Sequence, residues 1–223
     1  MKSKPIIIAP SILASDFLRL GVEVSRAEAA GGDWLHLDVM DGHFVDNISF
    51  GPPIVEAISK VATAPLDVHL MIERPDHFFP RFVPLVSNIT IHVEPAYDVG
   101  GTLKAIRAEG RTVGLAISPP TPFERVEPFL KYIDLLLVMT VNPGFGGQAF
   151  IPEMMQKVTR ARTLREQNGL DFHIQVDGGI NPGTAAISRE SGANVFVAGT
   201  AFFHASDPRA EIEALRGGAR EGS

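Results

Sequence analysis

The chain has no cysteine, which excludes disulfide staples, thiolate nucleophiles and cysteine-type zinc sites. Any metal would have to sit on nitrogen and oxygen ligands. Nor is there a basic run or stripe. The 26 acidic and 20 basic residues are spread along 223 positions with a net charge of -6, so neither nucleic acid nor an anionic membrane surface is an expected partner. No apolar run approaches the ~18 residues of a membrane span. The opening "MKSKPIIIAPSILASDF" puts two lysines before an apolar stretch, as a signal peptide does, but Pro5 and Pro10 interrupt it and Asp16 closes it early. The expectation is an unexported, cytoplasmic protein. Glycine (21) and proline (17) fall well short of a low-complexity composition, so they punctuate a fold.

What is there is 45% hydrophobic content, enough for one globular domain with a large core. Eight short apolar runs are bounded by turn residues: "IIIAPS" (6–11), "LHLDVM" (35–40), "LDVHLM" (66–71), "ITIHVE" (89–94), "TVGLAI" (112–117), "DLLLVMTV" (134–141), "FHIQVD" (172–177) and "NVFVAG" (194–199). Amphipathic stretches with helix-start signals lie between them, such as Ser15-Asp16 before "FLRLGVEVSRAEAAG", Pro52-Pro53 before "IVEAISKVA" and Pro152 before "EMMQKVTRARTLREQNG". Regular strand–helix alternation implies parallel strands with right-handed crossovers. Eight units in this length suit a single-domain α/β fold of the (β/α)8 barrel type, with an open doubly wound sheet as the alternative. No linker divides residues 1–223, and only the tail 217–223, "GGAREGS", is expected to fray.

Barrel chemistry is built where strands end, so polar residues at those ends are the informative ones. His36 and Asp38 close the second run, His69 the third, His92 and Glu94 the fourth, and Asp177 the seventh. Alternation along a strand puts His36 and Asp38 on one face and Leu35, Leu37 and Val39 on the other, toward the helices. His36, Asp38, His69 and Asp177 together make a candidate site for Zn, Fe, Mn or Co, since two carboxylates cancel a dication's charge. Each residue also has an ordinary structural reading: a hydrogen-bonded core histidine, or in Asp177 a turn former before Gly-Gly. Four of them at one end of a barrel are hard to bury without a charge partner. Met40, Met71 and Met139 also end strands; they are either soft core filling or an apolar collar above the metal.

The glycine-rich stretches "VNPGFGGQAF" (141–150), "VDGGINPGT" (176–184) and "VAGTAFF" (197–203) follow the sixth, seventh and eighth runs. Glycine lets backbone N–H groups approach an anion, and barrel phosphate sites often form after strands seven and eight. None of the three continues as a Walker loop, so a small phosphate ester is the implied ligand.

The stretches "APSILASDF", "LHLDVMDGHFV", "DVHLMI", "TVNPGFGGQAF", "QVDGGIN" and "VAGTAFF" resemble the ribulose-phosphate 3-epimerase family from Ile6 to Phe203. The resemblance implies that His36, Asp38, His69 and Asp177 bind one divalent metal ion and that Asp38 and Asp177 are an acid/base pair. It further implies that Ser11 and His69 contact the sugar and that Met40, Met71 and Met139 line the pocket. It also implies that Gly144, Phe145, Gly146 and Gly147, with Gly178, Gly179, Gly199 and Thr200, hold the phosphate; the loop 142–148, glycine-rich and carrying Phe145, is in its own right a candidate lid. The implied reaction interconverts D-ribulose 5-phosphate and D-xylulose 5-phosphate in a homo-oligomer. Two departures are small: Thr200 stands where the family commonly has Ser, and Asp46 where it has Pro. A six-carbon ketose phosphate epimerase would use the same site. A metal-free lyase or decarboxylase would want a strand-end lysine, which none of the eight runs supplies, and a binding-only barrel would not need both aspartates.

Overall fold

Leucine-rich and β-branched runs, each stopped by a Gly, Pro, Ser or Asp turn, cover their apolar faces by pairing side by side under a layer of helices. The computed structural model of the chain describes residues 4–218. Its eight strands are β1 Ile7–Pro10, β2 Leu35–Met40, β3 Leu66–Met71, β4 Asn88–His92, β5 Thr112–Ile117, β6 Leu135–Met139, β7 His173–Asp177 and β8 Val195–Ala198. All pair in parallel, in the order β1-β8-β7-β6-β5-β4-β3-β2. A parallel bridge from Ser11 to His36 joins the two ends, so the sheet is a nearly closed single-domain barrel rather than an open one.

The helices are α1 Leu20–Ala29, α2 Pro52–Ser59, α3 Pro75–Phe78, α4 Val99–Ala108, α5 Met155–Gln167, α6 Pro182–Ser191, α7 Thr200–Phe203 and α8 Pro208–Arg216. The expected start signals hold: Asp16 caps a 3-10 turn leading into α1, and prolines open α2 and the turn before α5. Strand–helix alternation fails once. Between β5 and β6 only 3-10 turns form, at Phe123–Arg125 and Glu127–Tyr132, because Pro119, Pro120, Pro122 and Pro128 deny an α-helix its N–H donors and its room. Glu94, expected to end the fourth strand, lies two residues beyond β4. Gly217 and Gly218 still hydrogen-bond back onto α8, and the rest of the expected frayed tail, 219–223, lies outside the described residues.

The end of the barrel opposite the strand C-termini is sewn by one recurring device. A polar residue just before a strand accepts the backbone N–H of the strand beside it. Asp33, before β2, takes the N–H of Ile8 in β1 at 2.7 Å; Asp134, before β6, takes that of Val113 in β5 at 2.8 Å; Asn194, before β8, takes that of Ile174 in β7 at 3.0 Å. Asp33 also accepts from Arg216 at 2.7 Å, and the same guanidinium donates to the Gly31 carbonyl at 2.8 Å. The last helix is thereby tied to the seam between the first two strands. Among the described residues, no helix is long and apolar enough to cross a membrane.

Removing an acceptor from a buried N–H costs about 1–3 kcal/mol. Asp33→Ala should therefore lower the urea-unfolding free energy by about that amount, and Asp33→Asn, which keeps an oxygen there, by less. Equal unfolding midpoints for Asp33→Ala and the unsubstituted chain would show that the seam carries no such load.

Candidate active site

Strand alternation decides what enters the barrel. β2 turns His36, Asp38 and Met40 inward and leaves Leu35, Leu37 and Val39 in the apolar layer under the helices, as their spacing predicts. β3 lies beside it in a register that opposes His36 to Asp67, Asp38 to His69 and Met40 to Met71. Two strands thus present two imidazoles and two carboxylates in adjacent rows, all buried. β7 adds Gln175 and Asp177.

The hydrogen bonds fix which ring nitrogens face where. His36 Nδ1 lies 2.8 Å from Asp67 Oδ2, and since a carboxylate only accepts, Nδ1 carries the proton. Its Nε2 is buried with no hydrogen-bond partner and points toward Asp38 Oδ1, at 3.2 Å but out of line for a hydrogen bond. His69 Nδ1 lies 3.1 Å from the same Asp38 oxygen, and Ser11 Oγ donates to the other at 2.6 Å. Asp67 receives two further donors, Asn88 Nδ2 at 2.5 Å and Gln175 Nε2 at 2.7 Å, the latter from across the barrel.

Ligand atoms of His36, Asp38, His69 and Asp177 all lie within 4.8 Å of one another, so the four expected residues do converge and could hold a metal ion. Their proton affinities are displaced in opposite senses. Burial alone would raise Asp38, but His36 and then His69 outweigh it and hold Asp38 far below the usual carboxylate range. Burial likewise opposes charge on His36, yet Asp38 and Asp67 hold it well above the ordinary imidazole value. His69, where burial wins, falls to about 4. Asp177, raised by burial and by the Asp38 carboxylate, reaches about 7.

Above this cluster opens a cavity of about 310 Å³. Ser11, Asp38, Asp177, Met40, Met71 and Met139 form its floor and walls, and Gly144, Phe145, Gly146, Gly147, Gly178, Gly179, Gly199 and Thr200 its rim. Gly178 and Gly179 adopt φ of 116° and 64°, and a Cβ on Gly179 would come within 2.6 Å of the Phe150 amide nitrogen. No larger residue fits that turn. Phe145 is 56% exposed at the cavity mouth.

Over residues 7–203 the sequence matches the Ribulose-phosphate 3 epimerase family. It is 44% identical over 214 residues to the ribulose-phosphate 3-epimerase of Bacillus subtilis, covering 95% of this chain and 99% of that protein. The chain belongs to the ribulose-phosphate 3-epimerase family. It is therefore an isomerase, of the epimerase kind. The chloroplastic ribulose-5-phosphate-3-epimerase of Arabidopsis thaliana is 41% identical over 218 residues, covering 96% of this chain and 78% of that one. Among solved structures, 3-hexulose-6-phosphate synthase from Salmonella typhimurium superposes with a TM-score of 0.71 at 17% identity, over 95% of this chain and 97% of that one, which speaks to the fold alone.

Several residues that contact the His/Asp cluster or the cavity escape the strand-end reading. Asp67 and Gln175 sit one strand-pitch below His69 and Asp177 on the same inward faces, so the two-residue period in "LDVHLM" and "FHIQVD" carries a signal for both. Asn88, the first residue of β4, stands opposite Asp67 in the register. Asn47, whose side chain donates to the Gly144 carbonyl at 2.7 Å and ties two rim loops together, has no such signal, and neither does His204 on the cavity wall.

Two outcomes follow from these contacts. Ligands must shed their protons to bind a dication, so zinc affinity should rise as pH climbs from about 6 toward 8, with proton release from Asp177 and His36 measurable by calorimetry in buffers of different ionisation enthalpy. Asp67→Asn should weaken metal binding by about 10- to 100-fold by loosening the His36 tautomer. Unchanged affinity in a competition titration would contradict that role for Asp67.

Proposed function

We propose that this epimerase interconverts D-ribulose 5-phosphate and D-xylulose 5-phosphate, with Asp38 and Asp177 as its acid/base pair. The observation that carries the reading is a pair of carboxylates from two strands, Asp38 and Asp177, facing one cavity; before any cation binds, Asp38 is held ionised and Asp177 is raised to about 7. Inverting the carbon beside a ketone removes its proton from one face and returns a proton to the other, through an enediolate. A single base cannot serve both faces unless the intermediate turns over. Asp38 from β2 and Asp177 from β7 reach into the cavity from different sides, so one takes the C3 proton while the other delivers, and the roles exchange with reaction direction.

The donor set fits one divalent ion, Zn, Fe, Mn or Co: two imidazoles and two carboxylates, with the partnerless buried His36 Nε2 aimed among them. His36, Asp38, His69 and Asp177 would hold it. When bound, the ion supplies Lewis-acid stabilisation of negative charge on the substrate oxygens. The chain's own residues do the rest. The backbone turns at Gly178, Gly179, Gly199 and Thr200, with Gly144 to Gly147, grip the phosphate; Ser11 and His69 contact the sugar. Met40, Met71 and Met139 exclude water that would reprotonate the intermediate, and the loop 142–148, with Phe145 at its tip, closes over the sugar. The same reading includes a cytoplasmic homo-oligomer.

Proton NMR of the metal-loaded enzyme with D-ribulose 5-phosphate in heavy water should show loss of the C3 proton and growth of C3-deuterated xylulose 5-phosphate. Asp38→Asn and Asp177→Asn should each lower kcat by about a hundred- to ten-thousand-fold while the fold persists. A C3 signal that survives, alongside faster exchange on a six-carbon ketose phosphate, would move the substrate to the longer sugar.

A further inference from the structure

His92 and Glu94 are singled out by the sequence as strand-end polar residues, and the acid/base reading leaves both without work. His92 is fully buried and touches the cluster only through His69: the two Nε2 atoms lie 2.8 Å apart, with the ring centroids 5.0 Å apart and the ring planes 28° from parallel. On its other side His92 Nδ1 meets Glu94 Oε2 at 2.7 Å. The Glu94 carboxylate is itself fixed, since its Oε1 accepts the Ser118 N–H at 2.8 Å. The Tyr97 hydroxyl donates to the His92 carbonyl and holds that residue's backbone from below the loop.

These contacts have a direction. A carboxylate only accepts, so the proton between Glu94 and His92 sits on His92 Nδ1. In the neutral ring that leaves His92 Nε2 as an acceptor. When His69 Nδ1 gives up its hydrogen bond to Asp38 and takes a cation instead, the neutral ring keeps its proton on Nε2 and donates it to that acceptor, leaving the Nδ1 lone pair bare. We propose that Glu94 and His92 form a tautomer-setting relay that aims the His69 Nδ1 lone pair at the metal, making Glu94 a positioning residue two side chains away from the ion. This rests on the reading of His69 as a metal ligand. His36 obtains the same control in one step, from Asp67, with the ring turned the other way so that Nε2 is the free nitrogen.

The relay makes an unusual demand on the nearly isosteric substitution. In Glu94→Gln the Ser118 N–H still requires an oxygen, which turns the new amide nitrogen toward His92 Nδ1. That reverses every donor in the line: His92 donates from Nε2, His69 accepts there, and its proton moves to Nδ1, where it blocks the ligand position. Glu94→Ala removes the director without installing an opposed one. Zinc affinity, measured by competition with a chromophoric chelator, should fall by about 10- to 100-fold in Glu94→Gln and by less in Glu94→Ala. Nitrogen-15 histidine spectra of the zinc-loaded proteins should show His69 protonated at Nε2 in the unsubstituted chain and lose that signature in Glu94→Gln. Affinity unchanged in Glu94→Gln, or weaker in Glu94→Ala than in Glu94→Gln, would overturn the relay, because loss of packing alone predicts the second order. If the unsubstituted chain binds no zinc, the metal reading falls first and the relay with it; if it binds zinc and Glu94→Gln binds equally well, only the relay falls.

Discussion

Everything at the centre of this barrel answers to the cost of burying charge. Asp38, Asp67, His36 and His69 have almost no solvent, and an isolated carboxylate in such a place would neutralise itself. The barrel keeps these groups by giving each an opposed partner in the neighbouring row, fixed by the β2–β3 register that sets His36 against Asp67 and Asp38 against His69. The arrangement stays short of cation ligands on one side. His36 Nε2 remains partnerless, and Asp177 holds a proton it would rather lose to a positive neighbour. A cluster built this way could hold a dication.

The barrel interior is divided to make that cluster possible. β5 and β6 fill their part with Ala116, Leu135, Leu137 and Met139, an ordinary apolar packing closed below by Trp34. β2, β3, β4 and β7 fill the other part with hydrogen-bonded polar side chains, and Gln175 spans the gap to Asp67 so that no carboxylate in the lower layer is left to itself. The apolar half stabilises the fold by burial, while the polar half holds the ring orientations. Below both, the Asp33, Asp134 and Asn194 side chains stitch strand to strand, at the end of the barrel away from the loops that surround the cavity.

Recognition and chemistry are also separated in height. The carboxylates and imidazoles sit within the strands, where their positions are set by the ladder; the glycine turns sit just beyond, where the backbone itself is the contact surface. Between the layers lie three methionines, two of them paired across β2 and β3, which give the cavity an apolar waist. Asn47 then links the loop after β2 to the glycine loop after β6, so that the two sides of the mouth share a hydrogen bond.

Much of this was legible in the chain because strand alternation is a local rule. "LHLDVM" alone puts His36, Asp38 and Met40 on one face, the eight apolar runs fall where the strands form, and the glycines after the last three runs mark where backbone must come close to something. The proline-rich stretch between β5 and β6 carried its own warning against a helix. Contacts across the barrel were not legible, because closure and register depend on all eight strands at once: nothing in "FHIQVD" says that Gln175 will meet Asp67, and nothing in "ITIHVE" says that His92 Nε2 will meet His69 Nε2. The sequence by itself determined which side chains point inward and what chemistry they could do. Only the tertiary structure decided which nitrogen of each histidine is free and which carboxylate keeps its proton, since both depend on partners brought from distant strands into a space with little water.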